Sequence, residues 1–241
     1  MLNSLTNSRQ PRYLKSPRWF KQFAIVAVVL FGCSFQAPLF ALERSDILLD
    51  IVSNCVTLKQ DNYCNLCRVP RNDAGCGAAL ECKKNTEVWA LTDRYTAIRD
   101  IKMCGCPADF IHGLALPTYP VTGVEDPQRP EGIWQFAWDE AIRKMEPESI
   151  ALVVNPRLNR SQNQLHVHLL RLTQDARGNL DRQAPSYVSS LELIWAVAAR
   201  NAANKGLDDY GVIVSQRSQG DFLVVVTSTS PEKEYTRFRC D

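Results

Sequence analysis

The feature that most constrains the fold is a short alternation of polar and apolar residues after the middle of the chain. Residues 164–169 alternate with a period of two, which is typical of a half-buried β-strand and not of a helix. Gln164, His166 and His168 therefore point to one face of the strand. Side chains on one face lie roughly 6–7 Å apart, so one small ligand can touch all three. Two of the chain's three histidines stand on this face.

The spacing alone leaves three interpretations of this face open. Two histidines at positions i and i+2 can belong to an ordinary polar face, can bind a metal with a third ligand from elsewhere, or can take part in catalysis. Residues 155–163, which precede the strand, are rich in amide, hydroxyl and arginine side chains and contain no acid. Such a loop suits phosphate groups and favours the catalytic interpretation.

These residues carry a resemblance to a known family. The alternating strand resembles the histidine-triad superfamily, in which the middle polar position is a nucleophilic histidine. More narrowly, the region is similar to the CDP-diacylglycerol pyrophosphatase family through residues 116–119, 123–127, 134–138, 210–211 and 222–225, and through the pattern Asn155-x-Arg157-x-x-Arg160-Ser161-Gln162-Asn163-x-x-His166-x-His168. The resemblance covers about residues 45–240.

The resemblance implies a reaction and a set of site residues. It implies hydrolysis of CDP-diacylglycerol to CMP and phosphatidate through a covalent histidine-nucleotidyl intermediate, with no metal or cofactor. His166 would be the nucleophile and His168 would hydrogen-bond the bridging or leaving oxygen. Gln164 replaces the usual first histidine and would orient His166. The substrate phosphates would be bound by Asn155, Arg157, Arg160, Ser161 and His112.

His112 is the one histidine outside the alternating strand. It lies five residues before Pro117, where many histidine-triad proteins carry an upstream histidine that faces the active site. A partly buried strand histidine with a backbone partner is the alternative interpretation.

The rest of the pattern predicts an α+β fold. An antiparallel sheet would be covered by helices on one side, in a histidine-triad-like arrangement that carries a disulfide-rich insertion at about residues 60–106. Apolar periodicity predicts helices over residues 44–55, 133–145 and 189–205, and strands over 87–95, 109–116, 149–154, 164–169, 210–215 and 221–227. The strands on either side of residues 155–163 are expected to form a hairpin.

The first 41 residues have the composition of a targeting segment, and residues 42–241 are expected to form the hydrolase domain. Five of the 28 basic residues and none of the 26 acidic ones lie in residues 1–41, where they precede an apolar run. The remaining chain is slightly acidic, which argues against nucleic-acid binding. Cleavage after Ala41, lipidation of Cys33 and retention of a short anchor remain open, and each predicts export to the periplasmic face of the inner membrane or to the envelope. The last two also hold the domain at a membrane surface, where it would meet a lipid-nucleotide substrate.

Eight cysteines follow the targeting segment, and an even number in an exported chain indicates a disulfide framework. Because Cys55 and Cys240 flank the family-like region, we expect them to pair. Zinc binding by Cys64, Cys67, Cys104 and Cys106 is one alternative, and redox catalysis by the Cys64–Cys67 pair is another.

Two other functions remain open at this point. The first is an exported, disulfide-stabilised module that binds a metal or an envelope component. The second is a hydrolase or transferase that acts on another nucleotide pyrophosphate.

Overall fold

A computed structural model describes residues 45–56, 87–103, 105–218 and 220–240, all within the compact unit Leu42–Asp241. The predicted targeting segment and most of the predicted disulfide-rich insertion lie outside the described residues. No helix within the described ranges is long and apolar enough to cross a membrane.

The described residues form an antiparallel sheet of eight strands with the spatial order β1-β2-β3-β5-β4-β7-β8-β6. This arrangement confirms the predicted α+β class with an antiparallel sheet, while its relation to the histidine-triad fold stays a prediction. The strands are β1 (Val88–Leu91), β2 (Tyr95–Arg99), β3 (His112–Pro117), β4 (Ile150–Val154), β5 (Val167–Arg171), β6 (Ser186–Val188), β7 (Gly211–Gln216) and β8 (Phe222–Thr227).

Five short or medium α-helices accompany the sheet in the described ranges. They are α1 (Ile47–Asp50), which continues as a π-helical turn (Ile51–Cys55), α2 (Ile133–Ala141), α3 (Ala176–Asp181), α4 (Ile194–Asn204) and α5 (Pro231–Tyr235). Single 3-10 turns occupy Ile101–Met103, Pro147–Ser149, Arg157–Asn159 and Leu191–Leu193.

Helices pack on both faces of the sheet, so the prediction of one covered face is wrong. On the first face, α2 and α4 bring Trp134 and Trp195 into an edge-to-face contact with ring centroids 4.8 Å apart. On the second face, Leu180 of α3 and Tyr235 of α5 pack against Val153 and its neighbours. The reason lies in the central strands, which are continuous apolar runs with both sets of side chains buried. Both faces of such strands need a cover.

The predicted strand over residues 87–95 is present only as β1 (Val88–Leu91), because the chain turns back after Leu91. Thr92 accepts a hydrogen bond from the Tyr95 backbone N–H at its Oγ1 (2.9 Å), and its own N–H donates to the Tyr95 carbonyl (2.8 Å). These bonds close a tight turn that separates β1 from β2. The other predicted strands and the three predicted helices are present with shifted ends, and β4 pairs with β5 as the predicted hairpin.

The predicted pairing of Cys55 with Cys240 is also wrong, because Cys240 forms a disulfide with Cys106. The C-terminal tail runs beside the end of β5, where Arg237 N–H donates to the Arg171 carbonyl (2.9 Å). This path brings Cys240 to the loop before β3 and not to the N-terminal helix. A disulfide sulfur is not a thiolate, so Cys106 is not a zinc ligand in this state.

Candidate active site

The three histidines lie together on the second face of the sheet. Leu114 of β3 is the register partner of His168 on β5, so His112 and His168 share a face. His112 Nε2 lies 2.9 Å from His168 Nδ1. His166 directly precedes β5, and its ring centroid is 4.7 Å from that of His168.

The histidines differ in their access to solvent. His112 is 0% exposed and His168 4%, whereas His166 is 7% exposed. A small surface pocket is lined by His166 together with Asn155, Arg160 and Gln164. Of the three histidines, His166 is the one that lines this pocket, so a molecule bound there would contact it.

The hydrogen bonding of His166 determines where its proton sits. Its Nδ1 lies 2.8 Å from the backbone carbonyl of Gln164, which can only accept a hydrogen bond. The ring proton must therefore be on Nδ1, and Nε2 carries a free lone pair. Burial lowers the pKa of His166 below the ordinary value of 6.5, so the ring is neutral near pH 7. A neutral imidazole with a free Nε2 is the form that can attack phosphorus.

The side chain of Gln164 is fully engaged with the segment that follows β3. Its amide nitrogen donates to the carbonyls of Pro117 (3.1 Å) and Tyr119 (2.8 Å), and its oxygen accepts from Val121 N–H (3.2 Å). An amide can make all three bonds because it has both donors and an acceptor. Gln164 therefore holds this segment in place with its side chain and orients His166 with its backbone carbonyl.

Asn155 lies directly after β4, and two neighbours fix the orientation of its amide. Its Nδ2 donates to Glu232 Oε2 (2.7 Å), and its Oδ1 accepts from Ser230 Oγ (2.8 Å). The same Nδ2 lies 3.3 Å from His168 Nε2. Because the amide presents a donor there, His168 Nε2 accepts and its ring proton lies on Nδ1, facing His112.

Two buried acids and one lysine complete the cluster, and none of them was predicted from the sequence. Asp100 Oδ2 lies 3.3 Å from His112 Nε2, and Lys102 Nζ lies 2.5 Å from Glu232 Oε1. Burial raises the pKa of Asp100 above its ordinary value. Burial alone would raise the pKa of Glu232 too, but Lys102, His112 and Asn155 together bring it below the ordinary value. Glu232 is thus held as a carboxylate beside Asn155 and His168.

The predicted phosphate-binding residues divide into two groups. His112, Asn155 and Arg160 are buried near His166, whereas the side chains of Arg157 and Ser161 are exposed. Neither of the exposed residues lines the pocket at His166. Their roles in phosphate binding stay predictions.

Arg160 is held at the pocket by an acidic partner. Its guanidinium forms a two-pronged ion pair with Glu125, with Nη1 2.9 Å from Oε2 and Nη2 bonded to Oε1. Its Nε is buried and has no hydrogen-bond partner among the described residues. This leaves one N–H available in a residue that lines the pocket.

The burial of His112 predicts a loss of stability in acid. Burial, with a smaller effect of Lys102, lowers the pKa of His112 to about 3, and these effects outweigh the nearby Glu232. The unfolded chain binds a proton near the ordinary value of 6.5, so between about pH 3 and 6.5 it holds more protons than the folded chain. The free energy of unfolding should therefore fall as the pH decreases from 6.5 towards 3.

Urea unfolding of wild type and His112→Gln at pH 7 and pH 5, in the presence of chelator, measures this effect. The wild type should lose more stability than the variant over this interval. Equal losses in the two proteins would show that His112 is not the residue responsible.

The comparison with known families agrees with the geometry of the site. The family model of CDP-diacylglycerol pyrophosphatase matches residues 91–197, a range that contains every site residue predicted from the sequence. Glu232 and the disulfide partner Cys240 lie beyond it. The match favours a hydrolase over a non-catalytic binding module. This match supports the family that the sequence pattern predicts, the CDP-diacylglycerol pyrophosphatases, which are hydrolases.

Proposed function

We propose that this enzyme hydrolyses CDP-diacylglycerol to CMP and phosphatidate through a covalent intermediate on His166. The family implies hydrolysis of this pyrophosphate. The observation that supports the covalent route is the bond between His166 Nδ1 and the Gln164 carbonyl, which leaves Nε2 with a lone pair at the pocket. A nucleophilic histidine divides one difficult displacement into two easier ones.

In the first step, Nε2 of His166 attacks the phosphorus next to the cytidine ribose. A nitrogen–phosphorus bond forms, and the bond from that phosphorus to the bridging oxygen breaks, which releases phosphatidate. The ring then carries a positive charge, and the Gln164 carbonyl stabilises it by accepting the Nδ1 proton in a hydrogen bond. In the second step, water attacks the same phosphorus, the nitrogen–phosphorus bond breaks and CMP leaves. A proton of the attacking water passes to solvent, and His166 returns to its neutral form.

Neighbouring groups can stabilise the charge on the phosphate oxygens. Arg160 lines the pocket beside His166, and its Nε–H has no partner within the described part of the chain. Asn155 lines the same pocket with its amide held in one orientation. His168 is the neighbouring ring, and it would assist the leaving oxygen after its ring proton moves from Nδ1 to Nε2. Such preorganised donors cost no rearrangement during the reaction.

The proposal includes export and contact with a membrane surface. The support is the N-terminal segment, in which five basic residues precede an apolar run, and the eight cysteines that follow it. A domain at the surface of a bilayer can reach a nucleotide that is attached to a lipid. Soluble nucleotides in the cytosol would not be its substrates.

Hydrolysis in ¹⁸O-labelled water tests which phosphorus is attacked. The full chain is incubated with CDP-diacylglycerol in detergent micelles with chelator present, and both products are analysed by mass spectrometry. Attack at the phosphorus next to cytidine places the label in CMP. Label in phosphatidate would contradict the proposal.

A second measurement tests the covalent intermediate itself. CDP-diacylglycerol labelled with ³²P at the cytidylyl phosphate is mixed with excess enzyme, and the reaction is stopped with base, because phosphohistidine is stable there. Labelled protein should appear and then decay as CMP forms. Absence of labelled protein while CMP accumulates in a rapid-quench experiment would favour direct attack by water.

A further inference from the structure

Potential metal-ligand atoms converge within the buried part of the histidine cluster, at residues that do not line the pocket. His112 Nε2 lies 2.9 Å from His168 Nδ1 and 3.3 Å from Asp100 Oδ2, and Glu232 Oε1 lies 3.7 Å from the same His112 nitrogen. Ligand atoms of Asp100, His112 and His168 all lie within 4.8 Å of one another. All three residues are buried.

Hydrogen bonds alone do not satisfy this arrangement. His112 Nε2 carries at most one hydrogen, yet it faces a ring nitrogen and two carboxylate oxygens. If His112 Nε2 donates its hydrogen to one of these three atoms, the other two receive no hydrogen bond from it. If His112 Nε2 instead accepts a hydrogen bond from His168 Nδ1, its lone pair also faces the oxygens of both carboxylates. Lys102 and Asn155 already pair with Glu232, but the Asp100 oxygen that faces His112 and the two ring nitrogens still converge on one point. Incompletely paired buried charge is costly, so this convergence suits an additional cation.

We propose that Asp100, His112 and His168 bind a divalent transition-metal ion such as Zn²⁺, with Glu232 close enough to act as a further or outer ligand. Imidazole nitrogens and a carboxylate are ligands that zinc prefers. Zinc ligands at about 2.0–2.1 Å in tetrahedral geometry are separated by about 3.3 Å. The observed separations of 2.9 and 3.3 Å need only small adjustments to meet this value.

This metal site shares His168 with the proposed reaction but does not include the nucleophile. His166 is not one of the ligands, and the ion would lie behind His168, where it would hold the His112 and His168 rings in place. The inference therefore does not rest on the covalent intermediate. Either proposal can fail while the other stands.

Lys102 provides an internal control because its charge opposes a bound cation. Its Nζ lies 2.5 Å from Glu232 Oε1, and its side chain is 36% exposed. Replacement by glutamine removes the competing charge without opening a buried cavity. Lys102→Gln should bind zinc more tightly than the wild type, whereas Asp100→Asn, which keeps the shape of the side chain, should bind it more weakly.

The test is a zinc titration of the full chain after chelator treatment, in detergent and with free cysteines alkylated so that thiolates do not contribute. Calorimetry, metal analysis and thermal unfolding are followed for the wild type and the two variants, and Mg²⁺ serves as the negative control. We expect about one zinc per chain, a Tm that rises with zinc concentration, and a loss of affinity of about 100-fold in Asp100→Asn.

The variants also separate this site from the nucleophile. His166→Ala should bind zinc with unchanged affinity. Bound cobalt should show the spectrum of nitrogen and oxygen ligands, without a thiolate charge-transfer band. Equal zinc affinity in the wild type, Asp100→Asn and Lys102→Gln would overturn the inference, and so would the absence of zinc binding in the wild type.

Discussion

Replacement of His166 by alanine should lower kcat/KM for CDP-diacylglycerol by at least ~10⁴-fold, because the variant has no nucleophile. The free energy of unfolding should change by only about 1 kcal/mol. The ring lies at the pocket, and its one hydrogen bond to a described residue is with the Gln164 carbonyl, where water can take the place of the ring. CMP release and urea unfolding of the purified variant measure the two quantities.

Chemical rescue distinguishes a lost nucleophile from a distorted site. His166→Gly leaves a space the size of the ring at the pocket, and added imidazole should restore part of the hydrolysis in a concentration-dependent way. His168→Gly is the matched control, because its ring is buried against His112 and imidazole should not replace it productively. Retention of more than about a tenth of the activity in His166→Ala would exclude His166 as the nucleophile.

Local patterns in the sequence predicted those parts of the site in which the residues belong to one strand or to its short connection. The alternation over residues 164–169 predicts that His166 and His168 lie on one face. Their rings do lie together in the structure, although β5 begins only at Val167. Residues 155–163 were correctly expected to join two paired strands, which brings Asn155 beside the histidines. These relations follow from a period of two and a short connection.

Contacts between distant segments could not be read from such patterns. Glu232 belongs to a helix of five residues with no apolar periodicity, and Asp100 belongs to a loop, so nothing local indicates that they face the histidines. Their positions depend on how the C-terminal tail and the β2–β3 connection pack. The burial of both faces of the sheet could have been predicted from the sequence, because Ile150–Val154 is an unbroken apolar run.

The bond between Cys106 and Cys240 is the long-range contact with the largest expected effect on stability. It joins residues 134 positions apart and anchors the tail that carries Glu232. Cross-linking residues this far apart strongly restricts the unfolded chain, so the double variant Cys106→Ser/Cys240→Ser should lose about 3–5 kcal/mol of unfolding free energy. Urea unfolding under non-reducing conditions measures the loss, and peptide mapping identifies the bonded pair.

Cys55→Ser is the matched control. Cys240 should remain bonded to Cys106 in that variant, and a free Cys240 thiol there would show that Cys240 pairs with Cys55. The double variant should also hydrolyse CDP-diacylglycerol more slowly near its unfolding midpoint, because a loosened tail no longer holds Glu232 against Asn155.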